Sequence, residues 1–562
     1  MSAIDKDPCA CKLACHIVKQ QFHDICETAC RTLLEKGISS APELARGSGL
    51  RFAQLHSALL VLIQHNYVNC YLQSEDANPR RPPISIPIYE ADLPAILQSL
   101  RKPSLLVHIR DESLGPASTT PGEELTAGEV NEVIMQSLLE QGRLRLDQLI
   151  NSVANKLDKP VDQMRDMLQR HFFGLVKSRY IERAPGCAEP PPMPFQHKKG
   201  ARKSAPKPGS IEEAREQANQ SRKLSRAEYE KERFKLPAHL MLASKREQGA
   251  PEPAKKKRRM GGSTATNEPS KEEDDRDSLV LWRANREEFN KRLRHAACID
   301  MVQQKNGPDC AAVLRAMLHA TISYETDSKA EQSQAVSQEA VVSYAKELQD
   351  MDPEYRPPAD IPAALRELAE DGLQPISYTG EGPGGSLYCV NMQTIIRRKR
   401  LLEMEAVIRQ RFGAHGLRVF RLLLLHPQLE QKQIAEKAML PPKEAKELLY
   451  RLFKAGFVGL QDVPRTADHA PSRTLYTWSV NNEAAADKLA AELYKAAFNV
   501  YVRCTHEFEQ HKEIFDMCKD NNIPETLQRT HGKIIGQVIR STQMLDSALF
   551  RLDSQIATLN DF

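Results

Sequence analysis

The sequence predicts a mainly α-helical fold in which small three-helix units recur along the chain, each closed by a two-stranded hairpin, with a long helical pair over residues 483–562. Three observations predict it. A cluster of apolar positions near residue 34 returns at residue 424 without a gap. Alternating runs joined by turn residues follow the helical patterns, as hairpins require. From Ile534 to Leu559 the apolar residues are spaced at three, four and seven, which is a helical seam.

At 562 residues the chain is too long for one core, so several domains are expected. Hydrophobic residues make up 41% and charged residues 27%, the balance of a folded, soluble protein, and no apolar run approaches the length of about 18 residues that a membrane helix needs. The opening MSAIDKDPCACKLACHIVKQ lacks the pattern of a secretory signal. Twelve cysteines without a paired framework fit a reducing compartment. The net charge of +4 hides a regional surplus: residues 197–259 hold nineteen Lys and Arg against eight Glu.

The repeat carries the fold prediction. At a constant offset of 390 residues, Leu34, Leu44, Ala45, Leu50, Leu59, Leu62 and Val68 fall on Leu424, Ile434, Ala435, Leu440, Leu449, Leu452 and Val458. Both copies read as helix, short helix, turn, second amphipathic helix and strand, because apolar steps of three and four give way to alternation. Gln433-Ile434-Ala435 marks the close-packed start of a helix-turn-helix. Leu440-Pro441-Pro442 supplies its turn, since proline suits the first turn of the helix that follows. A looser copy runs through Leu139, Gly142, Leu149, Phe172, Leu175 and Ile181, with an eight-residue insertion near Lys156 to Gln163. Another surrounds Leu365, Leu368 and Leu373 and continues into PISYTGEGPGGSLYCVNM, two alternating runs about a glycine-rich turn.

A three-helix unit closed by a hairpin is the winged-helix variant of helix-turn-helix. The expected organisation is four tandem, extended winged-helix domains over residues 9–110, 120–184, 278–400 and 401–482, and a C-terminal coiled-coil helical hairpin over 483–562. The wings are expected at Val68 to Tyr89, Ile376 to Met392 and Gly459 to Val480, the second wing being the least legible. Residues 185–277, rich in proline, glycine and charge, read as a disordered basic linker, with room for a short helix around Ile211 to Phe234. Within it Lys255, Lys256, Lys257, Arg258 and Arg259 resemble a nuclear-import signal; a solvated charge run is the competing explanation.

No catalytic constellation emerges. Cys9, Cys11, Cys15, His16, His23, Cys26 and Cys30 are metal-binding residue types without a CxxC knuckle, and Cys26 and Cys30 are more simply packing residues on one helix face. Asp468, His469 and Ser472 lie within five residues in a wing loop and cannot converge as a triad. Gly382-Pro383-Gly384-Gly385 lacks the lysine of a phosphate loop and reads as a hairpin turn. No catalytic residue, metal or cofactor is expected. For nucleic acid the candidate contacts are Lys156, Lys159, Arg165 and Arg170 in the second unit, Arg397, Arg398, Lys399 and Arg400 after the third, and Arg465 and Arg473 in the last wing. With no base reader singled out, such binding would be phosphate-driven and weakly sequence-specific.

The stretch EQKQIAEKAMLPPKEAKELLYRLFKAGFVGLQDVPRTADHAPSRTLYTWSV, Glu430 to Val480, resembles the winged-helix subunit of the RNA polymerase III peripheral heterotrimer, the C3 family. DHAPSRT, Asp468 to Thr474, is its most specific run; LLVLIQHNYV and SLVLWRANREEFNKRLR resemble that family's first and third units. The resemblance implies an architecture related to the large subunit of transcription factor IIE. It also implies an accessory, non-catalytic role in a nuclear DNA-directed RNA polymerase. The partners it implies are the polymerase III clamp, the two other heterotrimer subunits, initiation factor IIIB and promoter DNA to be opened. Two other classes compete: a free-standing tandem winged-helix DNA-binding regulator, and an interaction scaffold of the proteasome-lid type, which normally carries one such domain after a helical solenoid.

Overall fold

The computed structural model describes residues 7–74, 85–112, 126–186, 229–230, 232–236, 280–325, 327–352, 355–464, 474–513 and 525–562. The chain divides into two compact units, Ala14–Phe289 and Met1–Leu13 with Asn290–Phe562. The described residues are mainly helical, with four small antiparallel sheets.

The first module comprises α1 (Pro8–Lys36), β1 (Ser39–Ser40), α2 (Ala41–Ser48), α3 (Phe52–Gln64), β2 (Val68–Ser74), β3 (Ser85–Ala91), α4 (Leu93–Leu97) and α5 (Lys102–Glu112). Helix α1 is two helices joined at His23, whose φ of 69° and ψ of −178° break the ladder. Helix α2 starts cleanly because the Ser40 amide donates to the Glu43 carboxylate at 3.0 Å, and Pro42 sits in the first turn, where no amide is needed. Leu44, Leu55, Leu59, Leu62, Tyr67 and Val68 are buried together. β3 is the middle strand, pairing Val68–Ser74 on one side and Ser39–Ser40 on the other.

The second module is α6 (Ala127–Gln141), α7 (Leu146–Leu157), α8 (Val161–Lys177), β4 (Ile181–Arg183) and β5 (Trp282–Ala284). Its sheet differs from the sequence reading, which places Trp282 at the head of the third unit. Ile181 pairs with Ala284, Glu182 with Arg283 and Arg183 with Trp282, and Leu144 bridges to Trp282 on the other side. The reason lies in packing: Trp282 is buried edge-on to Phe172 of α8 at 5.2 Å, which fixes the strand onto this core. The proline-rich segment therefore leaves from one strand of this sheet and returns to the other. The insertion read near Lys156 coincides with a longer α7 and its left-handed end at Asp158.

The third module follows α9 (Arg286–Asn306) with α10 (Pro308–Thr321), β6 (Val336–Ser337), α11 (Gln338–Met351), α12 (Ile361–Glu370), β7 (Ile376–Gly382) and β8 (Gly385–Val390). Gly384 and Gly385, at φ of 104° and 91°, make its tight hairpin turn. The fourth is α13 (Met392–Leu425), β9 (Leu429–Glu430), α14 (Gln431–Lys437), α15 (Pro442–Lys454), β10 (Gly459–Pro464) and β11 (Thr474–Ser479). β11 is its central strand. Helices α16 (Asn482–Gln510) and α17 (Glu525–Ile556) then pack against each other. In α17 Val538, Ile556 and the following Leu559 are buried, whereas Ile534, at the start of the seam, is 37% exposed.

Candidate nucleic-acid and partner interfaces

The cations proposed to meet phosphate are placed by the second and fourth modules, and their neighbours decide what each can do. Lys156, in the last turn of α7, donates to Glu140 Oε2 at 2.7 Å. Against the burial that would raise it, hydrogen bonds from Lys156 and Gln136 hold the Glu140 carboxyl below its usual range. Arg165 on α8 is 3.3 Å from Asp147. Both pairs are surface ion pairs, each worth at most about 1 kcal/mol, so a phosphate could displace either carboxylate at little cost. Lys159 is half-buried, and Arg170 is exposed on α8.

The Arg397–Arg400 run lies on α13 and splits by helical phase. Arg397 is exposed and Arg398 half-buried. Lys399 reaches back to the Ala297 carbonyl at 3.4 Å and to Asp300 at 4.0 Å. Arg400 donates through Nε to the Thr558 carbonyl at 2.9 Å and through Nη2 to the Phe562 carbonyl at 2.6 Å, so its fork caps the end of the helical pair. Burial, then the Arg294 and Arg397 charges, lower its pKa. Of the four, Arg397 alone is exposed rather than half-buried. Arg465, Arg473 and the Lys255–Arg259 run lie outside the described residues, as do Asp468, His469 and Ser472.

Sequence reasoning missed the apolar face of the fourth module. Helix α15 turns Leu448, Leu449 and Leu452 inward. On its other side Tyr450 and Phe453 meet the buried Trp478 edge-on at 5.5 and 6.1 Å, yet remain 49% and 46% exposed. Leu460 and Tyr476, on the adjacent hairpin, are exposed as well. In the first module Leu60 of α3, 390 residues before Tyr450, is likewise exposed. A helix that shows aromatic and aliphatic side chains where a DNA reader would show hydrogen-bonding groups suits contact with protein. The readable signal was the pair Tyr450 and Phe453, too apolar for a wholly solvated helix face.

Cys26 and Cys30 are buried in α1, and burial raises the Cys26 thiol. Among the described residues no group of three or more His, Cys, Asp or Glu could hold a metal ion.

Comparison with known proteins gives these modules a class. Residues 404–480 match the profile described as "POLR3C, C-terminal winged-helix domain", and residues 12–73 that of the "RNA polymerase III subunit RPC82 helix-turn-helix domain". The chain is a winged-helix protein of mainly α fold. Residues 170–398 match "RNA polymerase III subunit RPC82". It is 26% identical over 526 residues to "DNA-directed RNA polymerase III subunit RPC3" of Bos taurus, covering 90% of this chain and 86% of the relative. Against the protein of the same name from Homo sapiens the identity is 26% over 525 residues, with 90% and 85% covered. The rpc3 subunit of Dictyostelium discoideum is 28% identical over 291 residues, 51% of this chain and 44% of its own. The chain belongs to the C3 subunit family of RNA polymerase III.

Proposed function

We propose that this chain is a non-catalytic subunit of RNA polymerase III, acting in the nucleus within the peripheral heterotrimer during initiation and promoter opening. The observation that carries the reading is the order of matches: three profiles of one polymerase subunit fall in sequence along the chain, and relatives of that name align over 90% of it. In this reading the four helix–sheet modules are tandem winged helices, and α16 with α17 forms a coiled-coil hairpin. The exposed Tyr450, Phe453 and Leu60 face partner subunits or the polymerase clamp, while Lys156, Lys159, Arg165, Arg170, Arg397 and Arg398 lie toward promoter DNA and initiation factor IIIB. Salt bridges that exchange a carboxylate for phosphate would give binding without sequence preference.

Affinity purification of the tagged full-length chain tests this: polymerase III subunits are expected to co-purify in stoichiometric amounts. Their complete absence, with high-affinity sequence-specific DNA binding by the isolated chain, would instead establish a free-standing regulator. For the DNA contacts, charge reversal at Arg170 and Arg397 is expected to shorten open-complex lifetime on a polymerase III promoter. Unchanged lifetimes remove those residues from the interface.

A further inference from the structure

The second sheet ends in β4, a strand with a free edge, and that edge is covered by a piece of the linker. The Arg183 amide donates to the Arg233 carbonyl at 2.9 Å, Arg183 Nε donates to the Lys235 carbonyl at 2.7 Å, and the Tyr229 hydroxyl donates to the Arg183 carbonyl at 3.0 Å. We infer that this edge is a binding site for an arginine–aromatic peptide segment, and that Tyr229, Arg233, Phe234 and Lys235 of the linker occupy it in cis.

The side chains argue for a built site rather than a chance contact. Arg233, 8% exposed at its side chain, donates Nε to Glu182, a carboxylate only 2% exposed, and Nη2 to Asn285 Oδ1 at 2.9 Å and Glu287 Oε2 at 2.7 Å. The second Glu182 oxygen is taken by Arg283 Nε at 2.7 Å. Without Arg233 one oxygen of a buried carboxylate would lose its charged donor, a loss that the low-dielectric surroundings make costly. Lysine is a poor substitute, because the acceptors Glu182, Asn285 and Glu287 are spread as a planar fork would meet them. Phe234 lies under the Arg179 guanidinium at 5.7 Å, at the turn before β4. Burial alone would lower the pKa of Arg233, but the Glu182 and Glu287 charges carry it above its ordinary value. The segment thus satisfies an edge strand and a buried acid together, and the linker is held at an internal point as well as at its two ends.

The test uses the full-length chain carrying Arg233→Glu and a fluorescein-labelled peptide of residues 226–238. With the cis segment expelled, the variant is expected to bind the peptide roughly tenfold or more tightly than the wild type, whose site is filled. A peptide with lysine in place of Arg233 should lose roughly tenfold in affinity. Amide exchange at Arg183 should accelerate in the variant and slow again on adding peptide. Where Arg233→Glu does not fold, Tyr229→Ala serves as the second variant with the same readouts. A folded variant that leaves Arg183 exchange unchanged, or that fails to bind the peptide, overturns the proposal. The outcome is independent of polymerase membership.

Discussion

The first and fourth modules are the same object drawn with different residues. At the 390-residue offset α3 falls on α15 end to end, Ser39–Ser40 on Leu429–Glu430, and the break in α1 at His23 on the break in α13 at Gly413. Tyr67 and Phe457 are buried at matching positions, and all seven apolar pairs of the repeat are buried or half-buried. What differs is how each module accommodates its unusual backbone. The first uses histidine at a φ of 69° and glycine at Gly49; the fourth uses Gly413 at 73° and Met439 at 54°. The shared fold is thus set by core spacing, and awkward backbone positions are tolerated in either chemistry.

That comparison breaks most visibly in the cores. Leu449→Ala and Leu59→Ala should each cost about 2–5 kcal/mol, matched between modules if the packing is equivalent. Amide exchange of α15 and of α3 reads each loss locally, and a loss in one alone would deny the equivalence.

A smaller effect is expected at the helix breaks. The conformation of His23 and Gly413, φ near 70° with ψ near 180°, suits glycine and costs other residues about 1–3 kcal/mol. His23→Gly should stabilise and Gly413→Ala destabilise, since an added Cβ at Gly413 meets open space and only the backbone resists it. Denaturant midpoints carry the sign.

Smaller again, Met439→Gly should stabilise by about 1 kcal/mol and Gly49→Ala should cost a similar amount, because both positions are left-handed. Met439 is 84% exposed, so little packing opposes the gain.

An effect confined to acid sharpens a chemical difference. His65 corresponds to Ala455, and its imidazole is lowered to about 4 by burial, with the Lys102 and Arg286 charges adding to it. A base with a lower folded than unfolded value leaves stability intact above about 6.5 and removes it as pH falls toward 4. The first module should lose protection across that window, and His65→Ala should flatten the loss. An equal loss in that variant would show the acid sensitivity to arise elsewhere.

The core of this fold was legible because burial repeats apolar types at fixed steps, as Leu44 and Ile434 do. The helix breaks were not, since a positive φ leaves no mark when histidine occupies one copy. Strands of two residues, such as Ser39–Ser40, are too short to alternate. Trp282 was read into the third module because nearly a hundred residues hide its pairing with Arg183. At the candidate interface, charge alone pointed to Lys399 and Arg400, whereas helical phase turns both toward their own module's neighbours. Arg233 was invisible for a related reason: a single buried arginine cannot be told from solvated ones in a basic stretch.

The second sheet has a mechanical consequence. Because Arg183 and Trp282 face each other on paired strands, the two ends of the intervening segment start and finish at one place. Lengthening that segment away from Arg233 therefore leaves the two strands in place. The segment thus offers a place where evolution or an engineer can insert polypeptide while the paired strands on either side keep their geometry.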